Sequence, residues 1–354
     1  MSRGMGSLPD FELVAGFRYR CQPGCGLCCY TTPAVAPGER ARLIQLDPEV
    51  PLLETSDGWA QIASRPEGGA CYFLREERCR CHAVRPATCG EFPLTAHVGH
   101  RVQVSVVLTC PGVDLSTLAR RGEGTPLGPL SSDLHSEVEY VDLEVKHAET
   151  TGQLRWASQR HRSVERRLRR EGSWQSEEEV RARLRPRLDE LIPTALPEEP
   201  PPDEEEELES LPLFYDPAFG RVAWRPHTGG VEFLSLEETG GVRKHLGVLA
   251  PPTRSPGLDR PSRTLLRGYL GYVLERDATI SAAYQQLLDG EPGLPEQVVA
   301  EDLRMIAGQV LGLALLRRAL TSDRRGELAV HDVENGIRAT DMDILDRPTA
   351  GLRL

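Results

Sequence analysis

CQPGCGLCC at residues 21–29 and CYFLREERCRCHAVRPATCGEFP at residues 71–93 hold eight of the chain's nine cysteines, and Cys110, followed by Pro111, completes the set. The first cluster reads C-x3-C-x2-C-C, and the second reads C-x7-C-x-C-x7-C. None of the 244 residues after Cys110 is a cysteine, so this region is a module with its own chemistry. Gly24 and Gly26 flank Cys25. Glycine lets the backbone turn tightly and brings amide N–H groups near a central ion or sulfide. Adjacent side chains such as those of Cys28 and Cys29 diverge, so they reach different metal ions more readily than one. Nine thiols leave eight ligands and one spare, the arithmetic for two four-thiolate sites, and a single cluster with additional neighbouring thiols also fits.

Soft thiolates suit both iron–sulfur clusters and zinc. Structural zinc usually sits between two CxxC knuckles, and the second stretch has no such pair. Three close cysteines, remote partners and a proline after the last favour iron–sulfur ligation of the [4Fe-4S] kind, with zinc as the alternative. The expected ligands are Cys21, Cys25, Cys28, Cys29, Cys71, Cys79, Cys89 and Cys110.

The bulk composition bounds the rest. A chain of 354 residues with 39% hydrophobic and 27% charged residues is ordinary globular material, long enough for more than one core. The net charge of −11 argues against a nucleic-acid binder. Residues 1–20 show no apolar secretory segment, and the longest apolar run, 306–316, is too short for a membrane helix. A cytoplasmic location follows as an expectation, and a reducing compartment favours metal ligation over disulfides.

Four segments are expected: a cysteine-rich cluster domain at 1–136, an arginine-rich helical segment at 137–196, an acidic proline-rich linker at 197–212, and a small β element plus helical domain at 213–354. The fold class is α+β, with a loop-rich N-terminal part and a mainly α-helical remainder carrying a small β insertion. Residues 37–46 predict a short helix with Glu39 in its first turn, and RVQVSVVL at 101–108 predicts a strand. Eleven arginines lie between residues 155 and 187, alternating with Glu165, Glu171 and 177–179, which reads as a salt-bridged helix face. PEEPPPDEEEELESLP at 197–212 is stiffened by proline and extended by like charge. Residues 213–236 predict two or three strands with turns at Asp216-Pro217 and Gly229-Gly230, and LLRGYLGYVLE (265–275) and VVAEDLRMIAGQVLGLALLRRAL (298–320) predict helices.

FRYRCQPGCGLCC at 17–29, Cys71-Tyr72-Phe73-Leu74 and RCRCHAVRPATCGEFP at 78–93 together resemble the YkgJ-type family, the zinc- or iron-chelating CxxCxxCC domain. Cys79, His82, Arg85-Pro86, Cys89 and Phe92-Pro93 stand in that family's order, and the resemblance covers about residues 17–112. Cys81 occupies a position where the family usually has an aliphatic residue, which makes it the candidate spare. The resemblance implies an iron–sulfur or zinc protein. One branch is similar to flagellin lysine N-methylase, which implies S-adenosylmethionine and a protein or peptide substrate. His82 and Arg85 are cofactor-side candidates, His82 as a hydrogen-bonding neighbour of the ligands and Arg85 as a cation beside an anionic cage.

Cys21-x3-Cys25-x2-Cys28 is also the spacing that leaves one iron open for S-adenosylmethionine, but the repeated strand–helix pattern of a barrel is missing after it. GEGTPLG at 122–128 reads as a loop and not as a nucleotide fingerprint. Two further readings need no catalytic acid or base: an electron-transfer, redox-sensing or metal-handling protein, and a zinc-stapled interaction module. His97 and His100 read as surface or core residues, and His331, Asp332, Glu334, Asp341, Asp343 and Asp346 as helix-face and cap residues without calcium-loop spacing.

Overall fold

In the computed structural model, the residues described are 11–12, 16–22, 25–30, 33–55, 58–65, 70–76, 78–98, 100, 102–123, 152–194, 196, 213–237, 241–250, 257–321 and 328–346. The acidic linker, residues 137–151 and most of the 122–128 loop lie outside them. The N-terminal part is built from short pieces. A two-stranded ribbon pairs β1 (Phe11–Glu12) with β2 (Arg18–Tyr19). A three-stranded sheet in the order β3-β5-β4 joins Ala34–Val35, Ala60–Ile62 and Leu52–Glu54. Two hairpins follow, β6 (Leu74–Arg75) with β7 (Arg78–Cys79) and β8 (Leu94–Val98) with β9 (Val102–Val106). The predicted helix is α1 (Arg40–Leu46), with Glu39 at its N-cap position, and the predicted 101–108 strand is β9. Short helices α2 (Ala87–Glu91) and α3 (Ser116–Gly122) close this part.

The arginine-rich stretch forms α4 (Gln153–Glu171), α5 (Glu177–Leu184) and a 3₁₀ turn over Arg185–Leu191. Several of its arginines are paired within the chain. Arg169 meets Glu165 at 2.9 Å and Arg167 meets Glu171 at 3.0 Å along one helix, while Arg181 reaches Asp277 at 2.6 Å. Gly172 ends α4 in the left-handed region, and Ser176 with Glu179 forms a capping box for α5.

Four antiparallel strands then form a meander: β10 (Leu213–Asp216), β11 (Gly220–His227), β12 (Gly230–Leu236) and β13 (Val242–Leu249). The turns fall where expected, and β13 is an addition to the expected set. Its residues alternate weakly and are half-exposed, so no periodic signal marks it. The sheet is covered on both faces. Phe214, Val222, Trp224, Val231 and Phe233 pack against Leu313, Leu316 and Ala339 of the C-terminal helices. Leu213, Ala223, Leu234 and Leu236 pack against Cys25 and Leu27 of the first cysteine stretch.

Helices α6 (Arg260–Glu275), α7 (Asp277–Asp289), α8 (Pro295–Thr321) and α9 (Val330–Asp346) complete the chain. Among the described residues, no helix is long and apolar enough to cross a membrane. One apolar core runs from Phe17 and Val104 through α3, α4 and α5 to Leu265, Leu311 and Ile337. Helices α3 and α6 cross very closely. A Cβ on Gly268 would lie 1.8 Å from the Leu118 carbonyl oxygen, and one on Gly122 would lie 2.0 Å from that of Thr264. Only glycine fits at that crossing.

Inside this core is a charged network. Arg276 and Asp341 are buried and joined at 2.9 Å. Asp341 also accepts from the Leu108 amide at 2.7 Å and the Tyr269 hydroxyl at 3.3 Å, and the Tyr272 hydroxyl donates to Val106 O at 2.9 Å. Burial works against the Arg276 charge most strongly, but Asp341 together with Tyr272 and Tyr269 outweighs it and holds the guanidinium well above its ordinary range. Asp341 is thus a structural counter-ion inside the core. Asp341→Ala leaves Arg276 buried without that partner, and we expect a loss of about 3–5 kcal/mol in chemical unfolding. A cost under about 1 kcal/mol would contradict this role.

Asp302 on α8 is pushed up to about 6 by burial, opposed by the Gln286 amide that donates to it. The folded chain therefore holds a proton there that the unfolded chain releases near pH 4. Stability from this group is fully present below about pH 4 and is lost as pH rises through about 6. Asp302→Asn should stabilise the fold by about 2 kcal/mol at pH 7.5 and by almost nothing near pH 4. Urea unfolding at both pH values checks this, and an equal effect at the two would refute it.

Candidate metal centre

The first cysteine stretch is shaped by Gly26, whose φ of +57° turns the chain into a 3₁₀ turn at Leu27–Tyr30. The Cys29 amide donates back to Gly26 O at 2.9 Å. This turn buries Cys25 and Leu27 against the sheet and directs Cys28 and Cys29 toward the second stretch. There the Cys71 amide donates to Cys29 O at 2.5 Å, joining the two stretches through their backbones. The β6–β7 hairpin places Cys79 opposite Leu74, and α2 carries Cys89. Glu39, buried at the start of α1, accepts from the Ala36 amide at 3.0 Å and the Ala87 amide at 2.9 Å, so it ties α2 to α1. Cys110 lies in a turn after β9, where the Arg20 amide donates to Gly112 O at 2.9 Å and brings Cys21 alongside.

All nine cysteines are free thiols, and every one lies within electrostatic reach of another. Four sulfurs form a string: Cys28 hydrogen-bonds Cys29, Cys29 hydrogen-bonds Cys79, and Cys79 lies 3.5 Å from Cys81. Hydrogen bonds from Cys29 and Cys81 bring Cys79 down to about 3, and the bond from Cys29 lowers Cys28. Bonding to Cys28 and Cys79, then burial, pushes Cys29 far up, and bonding to Cys79 does the same for Cys81. Along the string the shifts alternate, lowered at Cys28 and Cys79 and raised at Cys29 and Cys81. Burial pushes Cys25 up to about 11 and Cys110 up to about 12, and it raises Cys71 and Cys89 as well.

Two groupings emerge around Cys28. Cys21, Cys25 and Cys110 lie on one side, with the Tyr19 hydroxyl bonded to Cys21 and close to Cys110. Cys29, Cys71, Cys79 and Cys81 share a small apolar core with Val35, Leu43, Ile62 and Phe73, and Cys89 lies within reach of Cys71 and Cys79. All eight predicted ligands fall in this one neighbourhood. So does Cys81, whose sulfur is buried against Cys79.

Arginines surround the thiols. Arg85 acts on Cys28 and Cys89, Arg65 on Cys71, Arg221 on Cys25 and Arg338 on Cys110. Arg85 also donates to His82 Nε2 at 2.6 Å, which engages that ring nitrogen beside the ligands. Arg221, on β11, donates to Cys25 O at 3.2 Å. Arg338, on α9, donates to Leu108 O at 2.9 Å, to Cys110 O and to Val113 O at 2.8 Å, and so grips the whole Cys110 turn. Tyr19, Arg65, Arg221, Arg338 and Glu39 are not legible as site residues in the sequence. Arg221 reaches Cys25 across 196 positions of sequence and Arg338 reaches Cys110 across 228, and nothing local distinguishes them from other arginines.

Nine thiols in one neighbourhood with four arginines about them are the donor type that a thiophilic metal takes, although among the described residues no three of the sulfurs lie within 4.8 Å of one another. Thiolate is the ligand form, and the cations offset its charge.

The comparison with family models matches residues 20–111 to CxxCxxCC, described as "Putative zinc- or iron-chelating domain". No curated protein and no solved structure matches the chain. The matched span begins just before Cys21 and ends just after Cys110, so it encloses the whole thiol set described above. Residues 20–111, about a quarter of the chain, are thus similar to the CxxCxxCC family of zinc- or iron-chelating domains.

Proposed function

We propose that this chain is an iron–sulfur protein whose thiolates hold a fully cysteine-ligated centre for electron transfer or redox sensing. One observation carries the reading: nine thiols share one neighbourhood and touch in pairs, where a single zinc ion would use four. A single four-thiolate site would strand the remainder, whereas two four-thiolate clusters use eight. Zinc knuckles pair cysteines within a CxxC turn. The contacts here join neighbours, 28 with 29, and remote residues, 29 with 79.

Cys21, Cys25, Cys28 and Cys110 would hold one side, and Cys29, Cys71, Cys79 and Cys89 the other. Cys81 is left as a thiol donating toward Cys79. A bound cluster of this kind supplies reversible one-electron chemistry. The chain's own contribution is to exclude water through the Phe73, Leu43 and Leu27 cores, to donate hydrogen bonds to sulfur, and to set the local charge with Arg85, Arg65, Arg221 and Arg338.

S-adenosylmethionine chemistry, and with it a lysine-methylase-like activity on a protein substrate, is the weaker reading. It requires the Cys21, Cys25, Cys28 set to stay three-coordinate, and Cys110 stands beside Cys25 and Cys28 as a fourth thiol.

Anaerobic purification should give a coloured protein with iron and acid-labile sulfide in near-equal amounts. Cys79→Ser should lose most of both, and Cys81→Ser should keep them. Adding S-adenosylmethionine should change neither the visible spectrum nor the heat signal. Stoichiometric zinc without sulfide would overturn the iron reading, and a spectral response to S-adenosylmethionine would overturn the closed centre.

Arg85→Ala removes a cation near Cys28 and Cys89. We expect a more negative reduction potential by voltammetry at unchanged iron content, and an unchanged potential would remove Arg85 from any tuning role.

A further inference from the structure

Outside the thiol cage, three side chains from distant parts of the chain converge. They are His100, in the turn between β8 and β9, His161 on α4, and Glu177, the first residue of α5. Their candidate ligand atoms all lie within 4.8 Å of one another. His100 Nε2 stands 3.4 Å from Glu177 Oε1, and the His100 and His161 rings lie 3.9 Å apart between centroids, within 14° of parallel. From these residues we infer a second metal site, for a divalent transition ion such as Zn²⁺, built on nitrogen and oxygen and independent of the cysteine centre.

The chemistry of the set supports this. Two imidazoles and a carboxylate are a known zinc donor set, with N and O at about 2.0–2.2 Å from the ion. Tetrahedral donors at that radius stand about 3.4 Å apart, the separation that already holds between His100 and Glu177. The two rings lie stacked, so they must turn out of the stack for both nitrogens to face one ion.

The surroundings fix the donors. Arg181 lies 3.6 Å from the other carboxylate oxygen of Glu177, leaving Oε1 toward the histidines. The Arg181 charge is itself matched by Asp277 at 2.6 Å and Glu275 at 3.7 Å. Glu177 sits in the first turn of α5, where the helix dipole favours a carboxylate. The edge of His161 meets Trp174 and Tyr284, each at 6.1 Å, and these two rings stack at 5.1 Å and form an apolar wall. Ser158 on α4 donates to the His100 carbonyl at 3.4 Å and holds the turn in place. An ion here would pin the β8–β9 turn of the cysteine domain to the α4–α5 pair.

The test uses the full chain with its cysteine centre already loaded and exchange-inert, titrated with Co²⁺. One further equivalent should bind with visible d–d bands and no sulfur-to-cobalt charge-transfer band. His161→Ala and, separately, His100→Asn should each weaken that binding beyond the roughly 10–100-fold that loss of an outer partner costs. Iron and sulfide content should stay unchanged in both. Zn²⁺ should raise the unfolding temperature of the parent chain and not of either variant. His100 lies in a turn, so its variant keeps the test decisive if the helix substitution impairs folding. No additional equivalent in the parent chain, or undiminished binding in the His100 variant, would refute the site. Cobalt on vacant thiols declares itself by a sulfur-to-cobalt charge-transfer band, and the d–d bands lost in the histidine variants report this site alone, so the two proposals fail separately.

Discussion

The buried pair between Arg276 and Asp341 holds the helical layer to the cysteine domain. It lies where α6 ends, against α9, and its carboxylate accepts from the Leu108 amide at 2.7 Å. Leu108 follows β9 and stands just before Cys110, so the ion pair fixes the strand from which the last thiol departs. One helical turn before Asp341, Arg338 takes the carbonyls of Leu108, Cys110 and Val113. Two charged residues of α9 thus hold both sides of one turn. In a low-dielectric core such bonds are strong when every partner is present and costly when one is missing. The position of Cys110 is therefore set by a helix near the far end of the chain.

The four-stranded sheet does the same for the other end of the thiol set. One face rests on α8 and α9, and the other is the floor under Cys25 and Leu27. Arg221 projects from that floor to the Cys25 carbonyl, and the Tyr30 hydroxyl donates to Glu237 O at 2.5 Å at the sheet edge. The buried pair of Arg317 with Asp216 at 2.5 Å locks the sheet to α8. The cysteine domain has only a small apolar core of its own, around Val35, Leu43, Ile62 and Phe73. What holds its loops outside that core is the helical and sheet scaffold, through arginine-to-carbonyl contacts.

How much of this is legible in the sequence follows from what each feature depends on. The thiol set is readable because its spacing is local and its residue type is rare. Strand β9 and helices α6 and α8 are readable because each buries one face or a whole surface, and burial writes a period into the sequence. Helix α1 and the turns at Asp216-Pro217 and Gly229-Gly230 carry their own cap and turn chemistry. Strand β13 carries neither, since it is a half-exposed edge whose partner, β12, decides its register. Arg221 and Arg338 look like any of the other arginines until the tertiary fold aims them. His100, His161 and Glu177 come from a turn and two different helices, so no ligand spacing in the chain links them. Asp341 reads as one of several acids on a helix face, and only the fold shows it buried against Arg276.

The electrostatics of the cage follow from that division of labour. A cluster of thiols whose burial raises most of their pKa values resists ionisation, as at Cys25 and Cys110. Metal ligation requires the opposite, since thiolate is the binding form. Two features of the chain oppose the burial penalty. Thiol-to-thiol hydrogen bonds hold Cys79 and Cys28 as acceptors, and Arg65, Arg85, Arg221 and Arg338 each lower a different cysteine. Two of those four cations belong to the cysteine domain, and two are delivered by β11 and α9. The scaffold therefore contributes charge as well as position. A domain of residues 20–111 alone would keep its nine sulfurs but lose the cations facing Cys25 and Cys110, so thiolate formation on that side depends on the remainder of the chain.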